Sequence, residues 1–481
     1  MGSAREIEAQ GSGTSHVKPR LWAQFLAVIG ASMAVGGWAV GIGIGSLCVD
    51  QLSRGIGGFV LTEEQQVWIV SSNFLGTVVG SAVAGKLSKR FGARNTMLWC
   101  CVPTVAGFIV TAFAKCYNTL LIGRLIVGLF SGPAFVLHVF YISAVASPQY
   151  RGFLALLPDI VYMVYVILSL VLGVYFPWWW AAIISAALFA LPTAVALLIA
   201  PSDPVYLLRT GRLSEAKEAA RFFGLPLPDP EPNTSGEIAP RKSTWTLVKQ
   251  PRHYRPLLLS AALLLGVAFC GYMAVLSYSL VFLRTLGSTL DATVVSVLLC
   301  VIRIVAVGLV SVLIDRLGRR VLLLFSAAGM TISYLGLAAY FYIPSLAPYT
   351  QMPLVMLILA ISFFCMGVGP VPWCVIGEIV PARLSDAGGA ALVLFYNITS
   401  LAGVQVFPGL LAALGIGGVF AAHAGVTGAI LLLVAAAVPE TRGLSLQQIE
   451  ELFEDKEEGY TLVTALPISP AYSTFSSTRG G

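Results

Sequence analysis

A few charged side chains stand inside otherwise apolar stretches of the chain, among them Asp159 and Arg303. Asp159 lies in the stretch 153–175, and Arg303 lies in the stretch 290–314. On insertion scales an isolated charge at the centre of a membrane costs about 2.5–3.5 kcal/mol, so such a residue faces a cavity or a partner. A carboxylate and a guanidinium in these places can form an ion pair or bind a polar molecule, and the carboxylate can also carry a proton.

Long apolar elements must position these two residues. The chain has 481 residues, of which 57% are hydrophobic and only 11% are charged, whereas a soluble protein carries about 25% charged residues. This composition excludes a soluble enzyme, a nucleic-acid binder and a disordered scaffold. A bilayer core needs about 20 mostly apolar residues per helix, and twelve such stretches are present: 21–47, 66–86, 96–114, 118–143, 153–175, 178–200, 256–283, 290–314, 321–342, 351–378, 388–411 and 414–438.

The positive charges orient the twelve predicted spans. With the N-terminus in the cytoplasm, 24 of the 29 Lys and Arg residues fall in cytoplasmic segments and three, Arg54, Lys115 and Arg284, fall outside. An excess of cations on one side is typical of the cytoplasmic face of membrane proteins. The pattern therefore predicts a multi-pass membrane protein with both termini in the cytoplasm, and the net charge of +6 reports topology rather than a nucleic-acid partner.

An internal repeat divides the chain into two halves. KRFGARNTML at 89–98 follows the second span, and DRLGRRVLLL at 315–324 follows the eighth, 226 residues later. The predicted organisation is a cytoplasmic tail at 1–20, a six-helix bundle at 21–200, a cytoplasmic linker with short helices at 201–254, a second six-helix bundle at 255–440, and a C-terminal helix with a disordered tail at 441–481. The fold class predicted is an all-α membrane protein of two pseudo-symmetric bundles.

Six short motifs in the right order resemble the major facilitator superfamily (MFS), and within it the sugar porters, closest to facilitated trehalose and glucose transporters. They are GRLIVG at 123–128, YRG at 150–152, DRLGRR at 315–320, GPVPW at 369–373, GEIVP at 377–381 and PETRG at 439–443. The resemblance implies the MFS fold and a solute site near the bilayer midplane between the halves, reached by alternating access. It implies no enzymatic activity, no cofactor and no metal site.

The resemblance also assigns a set of loop charges, called here the latch residues, that hold the two bundles together on the cytoplasmic side. In the second half these are Asp315, Arg316, Arg319, Arg320, Glu378, Glu440 and Arg442, and in the first half they are Arg90, Arg94 and Arg151. The alternative is that these cations only anchor the loops at the membrane surface. Both interpretations remain open for the first half, where Lys89 stands in place of the usual acid.

The family's solute site is only partly retained. Trp373 and Phe364 match the aromatic residues of its tenth span, and Asn397 is a retained polar residue of the eleventh. Span 7, however, carries Val267 and Ala268 where sugar porters carry paired glutamines. Asn73 in the second span is expected either to face the cavity or to bond across a helix contact.

Asp159 and Arg303 occupy cavity positions of spans 5 and 8 in this family, so we expect them to face each other across the cavity. Three roles are possible: a structural ion pair, direct contact with a polar or charged solute, and proton coupling through Asp159. A neighbouring cation opposes the third role, because it favours the charged carboxylate.

The predicted function is secondary transport of a small polar solute, a hexose or trehalose by resemblance, by a monomer in the plasma membrane in contact with lipids. Two alternatives are a transporter of a non-sugar solute contacted by Arg303 and Asp159, and a non-transporting sensor of the same fold. A disulfide between Cys48 and Cys116, near predicted outer ends, is an open possibility.

Overall fold

Long helices make up most of the part of the chain that the computed structural model describes, which is residues 19–147, 150–227, 251–278, 292–380, 385–442, 444 and 446–453. The helices in order are α1 (Leu21–Ser53), α2 (Glu63–Phe91), α3 (Ala93–Ala112), α4 (Tyr117–Val145), α5 (Arg151–Tyr175), α6 (Trp178–Ile199), α7 (Pro204–Arg209), α8 (Leu213–Phe223), α9 (Pro251–Phe269), α10 (Tyr272–Ser277), α11 (Ala292–Leu317), α12 (Arg319–Tyr342), α13 (Met352–Met366), α14 (Val371–Ile379), α15 (Ser385–Ala437) and α16 (Leu446–Glu451).

Eleven helical segments within the described ranges are long and apolar enough to cross a membrane. The predicted stretches 388–411 and 414–438 both fall in α15, which has 53 residues and a non-helical Gly415 (φ 67°, ψ 176°). At 1.5 Å per residue, a straight helix of this length would span about 80 Å. The predicted stretch 256–283 is instead broken into α9 and α10 at Gly271, whose φ of 89° is strained for other residues.

The repeated basic turn has the same geometry in both halves. Gly92 (φ 83°, ψ 157°) separates α2 from α3, and Gly318 (φ 94°, ψ 157°) separates α11 from α12. A Cβ at position 92 would lie 2.8 Å from the Tyr206 ring, and one at position 318 would lie 2.5 Å from a Glu440 oxygen. Only glycine fits both the conformation and the close approach, so the sequence repeat is a structural repeat.

The helices before the linker pack mainly on one another, as do those after it. Two pairs form the main contacts between these groups: α5 packs against α11, and α2 packs against α15. The first contact places the helix of Asp159 beside the helix of Arg303. The two groups of helices therefore meet along two seams. The first seam lies between α5 and α11, and the second lies between α2 and α15.

Cys48 and Cys116 are both free in the structure. Cys48 is buried, whereas Cys116 is exposed with its Sγ 3.3 Å from the Thr119 hydroxyl. The structure therefore contains no disulfide between Cys48 and Cys116.

Candidate functional site

Asp159 on α5 and Arg303 on α11 form an ion pair between the two groups of helices. Arg303 Nε donates to Asp159 Oδ2 at 3.3 Å, and Arg303 Nη2 donates to Asp159 Oδ1. The two side chains are 8% and 22% exposed for Arg303 and Asp159, respectively. This two-point contact fits the planar fork of a guanidinium, and it brings together the two residues that the sequence expects to face each other.

Aromatic rings surround the guanidinium of Arg303. Its Cζ lies 4.6 Å from the ring centre of Tyr272, 5.4 Å from that of Phe364 and 5.8 Å from that of Tyr162. Tyr272 stacks on Phe364 with ring centres 4.1 Å apart, and Trp38 stacks on Tyr162 at 5.4 Å. We call Trp38, Tyr162, Tyr272 and Phe364, together with Arg303, the central cluster; its rings add cation–π attraction to the ion pair.

Three polar atoms of the central cluster are buried without a hydrogen-bond partner. They are Arg303 Nη1, the Tyr162 hydroxyl and Trp38 Nε1. Their residues are only 6%, 5% and 3% exposed, respectively. Because most buried polar groups in folded proteins are hydrogen-bonded, three exceptions in one cluster mark a place where a ligand can supply acceptors.

Trp373 and Asn397 lie between the two groups of helices. The Trp373 indole packs edge-on against Tyr396 with ring centres 5.0 Å apart, and Asn397 Nδ2 donates to the Ser81 hydroxyl at 2.9 Å. Ser81 belongs to α2 and Asn397 to α15, so this bond crosses the second seam. Asn397 is buried, which leaves its amide committed to a helix contact in this conformation.

Asn73 lies apart from the central cluster within the first group of helices. Its side chain packs against Gly41 of α1, and both of its amide atoms are buried without a partner. The buried Arg124 also contacts this region, donating one hydrogen bond to the Gly41 carbonyl and another, at 3.3 Å, to the Ile69 carbonyl. Asn73 therefore packs at a helix contact without a hydrogen bond across it, and both alternatives for its role stay predictions.

The space around the site is closed at the centre and open at one end. A cavity of about 20 Å³, room for about one water molecule, lies beside Tyr272 and Cys300. A cleft of about 760 Å³ opens where α1, α5 and α11 come together, lined by Asp50, Gln51 and Val294 among others. A solute the size of a sugar therefore enters the central cluster only when the helices around it move.

The latch residues of the second half assemble around two carboxylates. Glu378 accepts from Arg319 Nη2 at 3.0 Å and from the Thr441 hydroxyl at 2.5 Å. Glu440 accepts from the backbone N–H groups of Arg319 at 3.0 Å and Arg320 at 3.1 Å, at the start of α12, where a negative charge stabilises the helix. The Arg442 backbone N–H also donates to Glu440 at 3.1 Å. These bonds join elements of the second half to one another.

Equivalent positions of the repeat make equivalent bonds. In the first half, Arg94 Nε donates to the Leu197 carbonyl at 2.6 Å, and in the second half Arg320 Nη2 donates to the Ala435 carbonyl at 2.6 Å. Both carbonyls lie at or near the last turn of a membrane-length helix, where a cation is stabilising. Arg90 stacks over Phe91 at 5.3 Å.

The structure adds little on the other three latch residues. Arg316 is exposed, and the side chains of Arg151 and Asp315 lie outside the described residues. Their predicted roles stay predictions.

Sequence reasoning missed three residues of the central cluster: Trp38, Tyr162 and Tyr272. A signal for Tyr162 was present, because it follows Asp159 by three residues and so shares its helix face. Trp38 interrupts a glycine-rich run, GGWAVGIG at 36–43, which marks a close helix contact. Tyr272 gives no such signal.

The fold and the site together define a multi-pass, all-α membrane protein with a polar and aromatic cluster between two groups of helices. A profile of the family "Sugar (and other) transporter" matches residues 24–453, and the chain belongs to this family. Membership in a transporter family confirms the predicted family and the prediction that the chain is not an enzyme.

Similar proteins include facilitated trehalose transporters of insects. The chain is 27% identical to Tret1 of Aedes aegypti over 446 residues, covering 89% of this chain and 55% of that protein. It is 28% identical to Tret1 of Polypedilum vanderplanki, covering 89% of this chain and 88% of that protein. The chain thus spans about half the length of the mosquito relative and most of the midge one.

Solved structures of an MFS transporter share the fold. The proton:xylose symporter XylE bound to 6-bromo-6-deoxy-D-glucose superposes with a TM-score of 0.72 at 21% identity, over 90% of this chain and 99% of that one. The inward-open XylE from E. coli gives 0.69 at 20% identity, over 89% and 100%. At this identity the likeness establishes the MFS fold alone.

Proposed function

We propose that the protein is a secondary transporter that moves a small polar solute, a sugar such as a hexose or trehalose, across a membrane by alternating access. The observation that carries the proposal is the central cluster, a buried polar and aromatic site at the seam between two groups of helices in a chain of the sugar transporter family. Aromatic faces pack against sugar rings, and midplane sites between the halves are typical of such transporters.

The architecture that this mechanism requires is twelve transmembrane helices in two pseudo-symmetric six-helix bundles at 21–200 and 255–440, joined by the linker 201–254. The 53-residue α15 with its bend at Gly415 supports the count, because it is long enough for two spans. The repeated turns at Gly92 and Gly318 support the symmetry. The tail at 1–20 and the segment 441–481 would flank the bundles.

In this mechanism the solute contacts Trp373, Phe364, Asp159 and Arg303, with Asn397 and Asn73 as further polar contacts in other conformations. Ser81–Asn397 and Asp159–Arg303 bonds cross the two seams, so both must lengthen when the seams open. The latch residues hold the two bundles together on the cytoplasmic side in the outward-open state and release them as the halves rock. In the conformation described here, Glu378 and Glu440 bond within the second half.

We infer that the protein is a plasma-membrane monomer with both termini in the cytoplasm and with lipids around it. The cation bias, 24 of 29 on one side, supports this orientation. Large apolar side chains on the outer helix faces, such as Trp99 at 70% exposed, support contact with lipid.

Uptake of radiolabelled glucose and trehalose into ATP-free proteoliposomes tests the proposal. We expect saturable uptake by the wild-type protein and loss of up to roughly nine-tenths of it in Trp373→Ala, because a ring contact worth up to about 1.5 kcal/mol corresponds to a tenfold change. Trp99→Ala is the matched control, since it removes the same side chain from an exposed position of α3 and should leave uptake unchanged.

Absence of uptake for every sugar tried would contradict transport of a sugar. If glucose or trehalose then raised the thermal stability of the same preparation without any flux, a sensor of the same fold would replace the transporter. Equal losses in Trp373→Ala and Trp99→Ala would place the solute away from the tenth span.

A further inference from the structure

The three unpaired atoms of the central cluster have a distinctive chemistry. Arg303 Nη1 and Trp38 Nε1 can only donate hydrogen bonds, and the Tyr162 hydroxyl can donate as well as accept. Trp38 stacks on Tyr162 and Arg303 lies over the Tyr162 ring, so the three residues are neighbours. The cluster therefore offers hydrogen-bond donors, including the edge of the guanidinium that Asp159 does not occupy.

A donor-rich site fits some ligand groups better than others. A hydroxyl that accepts from Arg303 must also donate its own hydrogen, and the acceptors at hand are the phenol of Tyr162 and the carboxylate of Asp159, which Arg303 already engages. A carboxylate accepts only, so it satisfies the donors and leaves no hydrogen unpaired. Bonds to a guanidinium are also about twice as strong when the acceptor is ionised.

We propose that the solute of the central cluster is a hydroxylated monocarboxylate, a sugar acid, whose carboxylate binds Arg303. The hydroxylated part of this assignment rests on the proposed function. The carboxylate part rests on the unpaired donors and on the guanidinium enclosed by Tyr272, Phe364 and Tyr162.

Asp159 competes with the carboxylate of the solute for the guanidinium of Arg303. It occupies the Nε and Nη2 edge of the guanidinium, and a second carboxylate beside it is repelled and competes for the same charge. Binding of the solute therefore weakens the one described ion pair that joins α5 to α11. This exchange of partners couples solute binding to separation of the first seam.

The competition gives two substitutions opposite effects. Arg303→Gln should weaken binding of glucuronate roughly tenfold or more, because hydrogen bonds to charged groups contribute about 1.5–3 kcal/mol. Asp159→Asn should instead strengthen glucuronate binding several-fold, because it removes the competing charge and keeps the shape. The double variant Arg303→Gln with Asp159→Asn has neither charge and keeps the experiment interpretable if either single variant folds poorly.

The measurement is the dissociation constant of glucuronate, glucose and lactate for the purified full chain in detergent, from quenching of tryptophan fluorescence. Size-exclusion profiles identify the folded preparations. Arg212→Gln is the matched control, because it breaks an Arg–Glu pair on the linker helix α8 and should leave all three constants unchanged.

Binding of glucuronate with opposite effects of the two single substitutions supports the proposal. Binding of glucose but not of glucuronate overturns the sugar-acid proposal and leaves the proposed sugar transport intact. Absence of binding and flux for both glucose and glucuronate overturns the two proposals together. Lactate binding as tightly as glucuronate overturns the sugar-acid assignment. Weaker glucuronate binding in Asp159→Asn overturns the competition.

Discussion

Removing one partner of the Asp159–Arg303 pair should destabilise the protein more than removing both. Arg303→Gln leaves a carboxylate between α5 and α11, and Asp159→Asn leaves a guanidinium whose side chain is 8% exposed. The double variant leaves two neutral amides that can bond to each other.

The magnitude follows from the burial of the two groups. Removing one partner of a buried ion pair costs about 3–5 kcal/mol. Because the Asp159 side chain is 22% exposed and water partly screens it, we expect the lower end, about 3 kcal/mol for each single variant. For the double variant we expect a loss smaller than that of either single variant, below about 3 kcal/mol, which corresponds to a coupling energy of at least about 3 kcal/mol, at or above the top of the usual range for contacting residues.

The assay is equilibrium unfolding in mixed micelles by SDS titration, followed by tryptophan fluorescence, for the wild type, both single variants and the double variant. Arg212→Gln with Glu215→Gln is the matched control cycle, since the side chains of this pair at the start of α8 are 51% and 49% exposed. Its coupling should stay below about 1 kcal/mol. Additive losses in the Asp159–Arg303 cycle, about 6 kcal/mol in the double variant, would refute a pair that acts as a unit.

Three further outcomes follow from the loops. Gly318→Ala should lower the free energy of unfolding by about 1–3 kcal/mol, because its φ is 94° and Glu440 fills the space; Gly308→Ala, with open space around it, should not destabilise the protein in the same titration. Glu440→Gln should cost about 1–2 kcal/mol in thermal unfolding by loss of charge at the start of α12, and no change would argue against that role. Burial raises the pKa of Asp203, so the folded state holds its proton more tightly and this contribution to stability falls as pH rises above about 4. Asp203→Asn should reduce this fall of the unfolding free energy with rising pH. An unchanged fall would show that other groups cause it.

The sequence predicted the parts of the site that carry charge and the parts that require glycine. Charges in apolar stretches are few and expensive, which made Asp159 and Arg303 conspicuous, and the family resemblance then implied that the two face each other. The repeated turns at Gly92 and Gly318 were visible because a positive φ leaves a residue-type signature.

Aromatic residues and helix ends could not be predicted in the same way. Trp38 is 3% exposed in the central cluster and Trp99 is 70% exposed on the outside, yet both stand in apolar runs, because lipid and protein interior are equally apolar solvents. The bonds of Glu440 to backbone N–H groups were also missed, since a pattern of Arg and Glu predicts side-chain pairs and cannot show which carboxylate lies at a helix start.

Cross-linking of α4 in the first group of helices to α15 in the second tests alternating access most directly. A Cβ built on Gly389 of α15 lies 3.9 Å from the ring of Phe140 on α4, so Phe140→Cys and Gly389→Cys can be joined by a short, reducible bifunctional thiol reagent. Each single cysteine variant, treated alike, is the control for reaction at the native thiols. We predict that cross-linking stops solute exchange in proteoliposomes and that a reductant restores it. Undiminished exchange by fully cross-linked protein would contradict transport by separation of the two groups of helices.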